Sequence, residues 1–284
     1  MSAIGAVSGC FANNARDGLK LTYNCASLID SKFVFTITPL PALRDNYIWV
    51  LHDAHHAVVV DPGVAAPVMD FLQQHALRLS AILCTHRHRD HIGGIGELQD
   101  QYRIPVYGCP HPQNPHITHE VSANDVLDIL GQSFRVLELK GHLDDHVGFV
   151  SSSSLFCGDI LFGAGCGRNI EGSLEQLFDS LKQLEALPNG THVYCAHEYT
   201  LMNLRFAMLC DPENATLQQR LIHTLALRAD HQPTLPSTIG LEKATNPFFR
   251  CNQPEIIQTL QARGLQSDEE LMAFMALRAW RNGD

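Results

Sequence analysis

The sequence has no apolar run close to the roughly 18 residues that a membrane-spanning helix needs. It is also poor in basic residues, since 20 Lys and Arg stand against 30 Asp and Glu, which gives a formal net charge of −10. A protein that binds nucleic acid needs a basic surface. We therefore predict a protein that contacts neither a membrane nor nucleic acid. Any anionic substrate has to find local positive charge on it.

The nine cysteines form no C-x-x-C pair, and their number is odd. A chain of 284 residues is long enough to fold around an ordinary hydrophobic core, so a disulfide framework is not expected. Most of these cysteines should be small, buried apolar residues. A reducing compartment fits this pattern, and we predict a cytoplasmic protein that is a monomer by default. The sequence also lacks a G-x-S-x-G motif for a serine nucleophile.

The residue pattern divides the chain into three parts. Residues 1–32 form a leader that we expect to be disordered. Residues 33–208 alternate short apolar strands with amphipathic helices, of which the clearest begins after the N-cap candidate Ser173. The strand pattern ends near Asp211, and helical spacing dominates residues 209–284. These features predict an α/β domain followed by a smaller helical domain.

Residues 84–94 carry most of the functional information, because they read C-T-H-R-H-R-D-H-I-G-G directly after an apolar strand. Three imidazoles and one carboxylate within six residues suit a loop that wraps around metal ions, and zinc, iron and manganese all accept such ligands. The strand that precedes the loop places it at the carboxyl edge of a sheet, where α/β proteins keep their sites. Gly93 and Gly94 would allow a tight turn behind the ligands.

Three later segments each bring one more ligand type after a predicted strand: Gly141-His142, Gly158-Asp159 and His197-Glu198. With the H-x-H-x-D-H loop, they resemble the metallo-β-lactamase superfamily. The resemblance implies an αββα sandwich with a C-terminal helical domain. It also implies one divalent ion held by His86, His88 and His142, a second held by Asp90, His91 and His197, and Asp159 between them. Because these seven ligands complete the set, His146 is expected to support a ligand from outside.

Four stretches narrow the resemblance to the hydroxyacylglutathione hydrolases, also called glyoxalase II: Asp45–Trp49, Gly165–Arg168, Cys195–Thr200 and Asn246–Arg250. The resemblance implies hydrolysis of a glutathione thioester such as S-D-lactoylglutathione, in methylglyoxal detoxification. It implies Asp90 and Asp159 as catalytic residues and two divalent ions, zinc first among them. It further implies substrate contacts through Arg168, Tyr199 and Arg250.

The chain departs from the family pattern at positions that contact no metal. Ile170 stands where an aromatic residue is common, and no second basic residue follows Arg250 closely. Residues 143–145 read L-D-D, where the family favours Thr after the His and Gly before the next one. These departures concern the strength of glutathione binding.

Four other functions are compatible with parts of the pattern. A lactonase or β-lactamase would use the same ions on a ring substrate, and a persulfide dioxygenase of this fold would use one iron. A nuclease of the superfamily would need the basic surface that this composition lacks. A non-enzymatic metal protein would bind ions without turnover. The complete ligand set and the helical segment favour the thioester hydrolase.

Overall fold

Two six-stranded sheets form the centre of the fold in a computed structural model that describes residues 35–283. The predicted leader, residues 1–32, lies outside the described residues. The strands of the first sheet follow one another in chain order: β1 Thr36–Ala42, β2 Asn46–His52, β3 His56–Val60, β4 Arg78–Leu83, β5 Val106–Gly108 and β6 His119–Glu120.

The second sheet is built from the strands β7 Val126–Ile129, β8 Gln132–Glu138, β9 Val147–Val150, β10 Ser154–Phe156, β13 His192–Tyr194 and β14 Ser237–Thr238. Their order across the sheet is β14-β13-β10-β9-β8-β7. A separate hairpin consists of β11 Leu161–Phe162 and β12 Gly165–Cys166.

Nine helices complete the described part of the chain: α1 Ala66–His75, α2 Arg89–Ile92, α3 Ile95–Tyr102, α4 Leu174–Glu185, α5 Thr200–Cys210, α6 Ala215–Ala229, α7 Ile239–Thr245, α8 Pro254–Ala262 and α9 Glu270–Asn282. Across residues 35–283, none of these helices has the length and apolar character to cross a bilayer.

Strand β2 of the first sheet is buried on both faces, because each face packs against another layer. On β2, Trp49 and Leu51 belong to a core cluster that also contains Phe134 and Phe149 of the second sheet. The intervening Val50 belongs to a second cluster with α1 and α3. Side chains alternate along a strand, so one strand supplies both layers. The cluster between the sheets also takes in α4 and α9, and these layers confirm the predicted α/β sandwich with helices outside.

Helix α4 begins where the sequence predicts. The Ser173 hydroxyl accepts a hydrogen bond from the Gln176 amide, and the Gln176 side chain bonds back to Ser173 in a capping box. Leu177, Leu181 and Leu184 are buried on one face of the helix. The local pattern therefore specified both the start of this helix and its buried face.

The division into a domain of residues 33–208 and a helical domain of residues 209–284 stays a prediction. The predicted boundary between residues 208 and 209 falls inside helix α5, and the described residues 35–283 belong to one compact unit. The expectation that strands end near Asp211 is corrected by β14, in which Ser237 pairs with Val193 of β13. The segment that follows α6 thus extends the second sheet, a pairing that a two-residue strand gives the sequence no means to predict.

Candidate metal centre

The seven predicted metal ligands follow the ends of four strands. Strand β4 leads into the loop and short helix α2 that carry His86, His88, Asp90 and His91. The other three ligands follow β8, β10 and β13 of the second sheet: His142, Asp159 and His197. One end of the sandwich therefore collects side chains from both sheets.

These side chains form two groups, and within each group the possible ligand atoms all lie within 4.8 Å of one another. The first group contains His86, His88, His142 and Asp159, and the second contains Asp90, His91 and His197. In the first group, His88 Nδ1 lies 3.1 Å from the Nε2 atoms of both His86 and His142. We call the seven residues the ligand cluster. The structure brings together every metal ligand that the sequence predicts.

Asp159 faces both groups with its two carboxylate oxygens. Its Oδ2 lies 3.6 Å from His142 Nε2 and 4.0 Å from His86 Nε2. Its Oδ1 lies 3.3 Å from His197 Nε2 and 3.5 Å from His91 Nε2. A carboxylate in this position can contribute one oxygen to each of two adjacent cations.

Carboxylates and a carbonyl hold the outer nitrogens of the clustered histidines. Asp61 Oδ2 lies 3.0 Å from His91 Nδ1 and accepts the Thr85 hydroxyl at 2.7 Å. Asp45 Oδ1 lies 2.8 Å from His197 Nδ1. On the other side, the main-chain oxygen of Arg168 lies 2.8 Å from His142 Nδ1. Such outer partners fix the ring orientation and raise the basicity of metal-binding histidines.

His146 supports the cluster from outside, as predicted. It belongs to neither group of the described ligand atoms, and its Nε2 accepts the main-chain N–H of Asp159 at 3.1 Å. Its ring stacks on that of His86, with the centroids 4.7 Å apart. Since Nε2 is an acceptor, the ring proton is on Nδ1, and His146 is a neutral group that positions Asp159.

The pKa directions differ between the two groups of the cluster. Burial lowers the pKa of His86, His88 and His142, whereas carboxylates, Asp159 first among them, outweigh burial at His91 and His197 and raise the pKa of both. Burial lowers the pKa of His86 well below its ordinary value, and the nearby His91 and His146 lower it further. Neutral imidazole is the form that binds metals. Burial opposes ionisation of Asp159, but His91 and His197 outweigh it and hold the pKa of this carboxyl well below its usual range.

Two buried atoms in the cluster support a cation site directly. Among the described residues, His91 Nε2 and Asp159 Oδ1 have no hydrogen-bond partner, although each is shielded from water. Unpaired buried polar atoms are costly unless an ion or water satisfies them. Imidazole and carboxylate donors fit divalent transition metals, so the residues present fit two such ions.

Gly94 is required by close packing. It has φ −95°, which any residue can adopt. A Cβ atom at this position would lie 2.4 Å from the main-chain carbon of Val64 and 2.8 Å from the Pro62 oxygen. The glycine therefore lets the loop after the ligands pack against residues 62–65, a different reason from the tight turn that the sequence suggested.

A cavity of about 350 Å³ opens beside the ligand cluster. His142 and Asp159 of the ligand cluster are among the residues that line it, and so are three arginines: Arg168, Arg278 and Arg281. We call it the arginine cavity. Tyr199 also lines it and stacks on His197, with the ring centroids 4.7 Å apart and the planes 5° apart. Positive charge in this cavity could hold an anion beside the cluster, despite the net negative charge of the chain.

The two arginines of helix α9 differ in their surroundings. Arg278 is buried and donates to the main-chain oxygen of Cys166 at 3.2 Å, while its Nε has no partner within residues 35–283. Arg281 is half-buried, and burial together with the nearby Arg278 lowers its pKa from the ordinary value. Two neighbouring guanidinium groups that line one cavity favour a ligand with carboxylates.

Arg250, the third predicted substrate contact, lies elsewhere. Its Nη2 and Nε contact Asp211 Oδ2 at 2.9 and 3.2 Å, and it lines a separate cavity of about 310 Å³. The residues described around the arginine cavity include Arg168 and Tyr199 but not Arg250. The structure thus brings two of the three predicted substrate contacts to the ligand cluster.

Comparison with known proteins agrees with this architecture. Residues 42–197 match the metallo-beta-lactamase superfamily, and residues 198–283 match the hydroxyacylglutathione hydrolase C-terminus. A hydroxyacylglutathione hydrolase from Nitrosomonas europaea is 45% identical over 252 residues, which cover 88% of this chain and 96% of the relative. The chain belongs to the hydroxyacylglutathione hydrolase family. The predicted family and fold class are confirmed.

Solved structures are similar to this member of the hydroxyacylglutathione hydrolase family over most of its length. The crystal structure of ETHE1 from Myxococcus xanthus has a TM-score of 0.59 and 25% identity, and the match covers 87% of this chain and 99% of that one. TTHA1623, crystallised in a di-iron-bound form, has a TM-score of 0.55 and 25% identity, with 74% and 99% covered. Together with the ligand cluster, the family assignment indicates that the chain binds divalent metal.

Sequence reasoning missed four residues of this hydroxyacylglutathione hydrolase site. Asp45 and Asp61 stand in turn sequences, where Asp is common for local reasons. Arg278 and Arg281 are three residues apart on α9, so they lie on one face of the helix. That spacing is the only local signal, and any solvated helix face would give it equally.

Proposed function

We propose that the chain hydrolyses S-D-lactoylglutathione, and related S-2-hydroxyacylglutathione thioesters, to D-lactate and glutathione in methylglyoxal detoxification. One observation carries the proposal: His142 and Asp159 of the ligand cluster line the same cavity as Arg168, Arg278 and Arg281. Glutathione has carboxylates at both ends of its backbone. A thioester of glutathione therefore combines the anionic groups that the arginines favour with a carbonyl that can reach the cluster.

The ligand roles follow from the two groups. His86, His88 and His142 would hold one divalent ion, and Asp90, His91 and His197 would hold the other, with Asp159 available to both. We propose zinc for both sites, with iron or manganese as the alternatives, since the donor set accepts all three. When bound, such ions would polarise a carbonyl and lower the pKa of a water molecule.

The protein residues supply orientation and charge around that chemistry. Asp159 and Asp90 are the proposed catalytic carboxylates, and Asp90 Oδ2 is held by the Asn46 amide at 3.0 Å. Asp45 and Asp61 keep the rings of His197 and His91 in place. Arg168, Tyr199 and the two arginines of α9 bind the glutathione part of the substrate. The role assigned to Arg250 from sequence stays a prediction, and its ion pair with Asp211 favours a structural role instead.

The remaining proposals concern the setting of the reaction. We propose a cytoplasmic monomer whose partner is the small-molecule thioester, without nucleic acid or membrane. The free cysteines support a reducing compartment, because six of the seven in the described residues are buried and the seventh, Cys109, is half-buried.

Hydrolysis of S-D-lactoylglutathione by zinc-loaded protein tests the function, with metal content measured on the same sample. We expect turnover with two ions per chain, and its loss in His86→Ala. The matched control is His55→Ala, which removes an exposed histidine far from the cluster in sequence. Thioester turnover absent from protein that holds two ions would refute the proposal and direct the search to lactones or other thioesters. A single iron per active chain would favour the dioxygenase alternative.

A further inference from the structure

A fully buried carboxylate lies in the C-terminal segment, outside the ligand cluster. Glu242 of α7 is 0% exposed and forms an ion pair with Arg220 of α6, at 2.6 Å between Oε1 and Nη2. The Ser237 hydroxyl also donates to Oε1, while Oε2 accepts the Ala164 amide at 2.8 Å. Asn246 Nδ2 donates to the same oxygen at 3.0 Å. A buried carboxylate is costly unless hydrogen bonds and a counter-charge compensate it, and Glu242 has both. The four groups that bond to Glu242 are therefore held firmly in place.

One of these bonds and a further bond from Asn246 reach the turn of the β11–β12 hairpin. Ala164 adopts a left-handed conformation with φ 55°, which is unfavourable for a residue with a Cβ. Its amide is the one that Glu242 accepts. Asn246 Nδ2 also donates to the Gly165 oxygen at 3.0 Å. The hairpin turn is therefore held by the C-terminal segment, through one carboxylate and one amide.

The same hairpin contacts the ligand cluster on its other side. Strand β12 continues into Arg168, whose main-chain oxygen lies 2.8 Å from His142 Nδ1. Phe162 of β11 meets the His197 ring edge to face, with the centroids 5.8 Å apart. One residue from each ligand group is thus in contact with the hairpin or with the residues that follow it. Phe162, Cys166, Gly167 and Arg168 also line the arginine cavity.

We propose that Glu242 is a positioning residue for the metal centre. It fixes the hairpin turn, the hairpin fixes the Arg168 carbonyl, and that carbonyl orients His142. The buried ion pair with Arg220 holds the Glu242 side chain in place. The consequence for metal binding stands on contacts alone, whereas the consequence for substrate binding rests on the proposed thioester hydrolysis.

Glu242→Gln tests this proposal, because it keeps the shape of the side chain but leaves Arg220 without its counter-charge. We expect zinc affinity, measured by competition with a chelator, to fall about tenfold or more, as for other losses of outer support at metal sites. The KM for S-D-lactoylglutathione should rise as well. The control is Leu72→Ala, which opens a cavity under α1 in the other core cluster and lowers stability without contacting the hairpin.

A double variant separates positioning from general damage. In Arg220→Met with Glu242→Gln, the new amide oxygen can accept from Ala164 and its NH₂ can donate to Ser237, with no charge left buried. We expect this double variant to regain most of the zinc affinity lost by Glu242→Gln. Glu242→Gln that binds zinc as tightly as the wild type, or no more weakly than Leu72→Ala, would overturn the proposal. If the wild type fails to turn over the thioester, the proposed function fails and the zinc measurement still decides the role of Glu242.

Discussion

The ligand cluster and the arginine cavity share His142 and Asp159, but the chain assembles them in opposite ways. Four of the seven clustered ligands come from one loop of six residues, residues 86–91. The three arginines of the cavity come from Arg168 and from helix α9, more than a hundred residues later. The comparison shows that a short segment can supply most of the ligands of a metal site. The substrate pocket next to it is formed by residues that only tertiary packing brings together.

The largest effect is expected from the residue that faces both ligand groups. Asp159→Asn should lower kcat by about 10³-fold or more, because several kcal/mol of charge stabilisation are lost with one anionic ligand. Metal content should fall with it, which mass spectrometry of the native protein can measure. The control Asp179→Asn removes an exposed carboxylate on α4 and should change neither value. Full metal content and activity in Asp159→Asn would remove Asp159 from the site.

The next largest effect is on zinc affinity, and it distinguishes the two carboxylates that contact clustered histidines from outside the ligand cluster, Asp61 and Asp45. Asp61 is buried and contacts both His91 and Thr85, while the Asp45 side chain is 29% exposed and contacts His197. Asp61→Asn should weaken zinc binding by about 10- to 100-fold, and Asp45→Asn by less, because a partly exposed partner is more easily replaced by water. Chelator competition on both variants gives the order. The reverse order would mean that His197 depends on its outer partner more than His91 does.

Those parts of the fold and of the ligand cluster that depend on neighbouring residues could be predicted from the sequence, whereas contacts between distant residues could not. Ser173 and Gln176 predict the start of a helix because the groups of the capping box lie within one turn. Residues 84–94 predict metal ligands because three imidazoles and one carboxylate lie within one short segment. Asp61 could not be recognised as a partner of His91, since its turn sequence already explains an aspartate. The pairing of Ser237 with Val193 was likewise hidden, because a two-residue strand has no period to detect.

Kinetics can decide whether Arg281 or Arg250 contacts the substrate, because Arg281 lines the arginine cavity and Arg250 lines a separate one. Arg281→Ala should raise the KM for S-D-lactoylglutathione about tenfold with little change in kcat, because one charge-assisted contact to the substrate is lost. Arg250→Ala should leave KM within about twofold and lower the Tm, because it breaks the ion pair with Asp211 and leaves that buried carboxylate without its counter-charge. Steady-state kinetics and thermal unfolding of both variants decide the matter. A large rise in KM for Arg250→Ala alone would restore the assignment made from sequence.

The smallest expected effect is the response of the two regions to salt. The arginines attract the substrate across partly exposed surface, so raising the ionic strength from about 0.02 to about 0.2 M should increase KM roughly twofold. Metal retention should not change, because the clustered ligands are buried or half-buried and their contacts are short. In Arg281→Ala the salt dependence of KM should shrink, since one of the screened charges is gone. A KM that is independent of salt in the wild type would mean that the arginines bind substrate through geometry more than through charge, and that the −10 net charge of the chain is of no consequence to substrate approach.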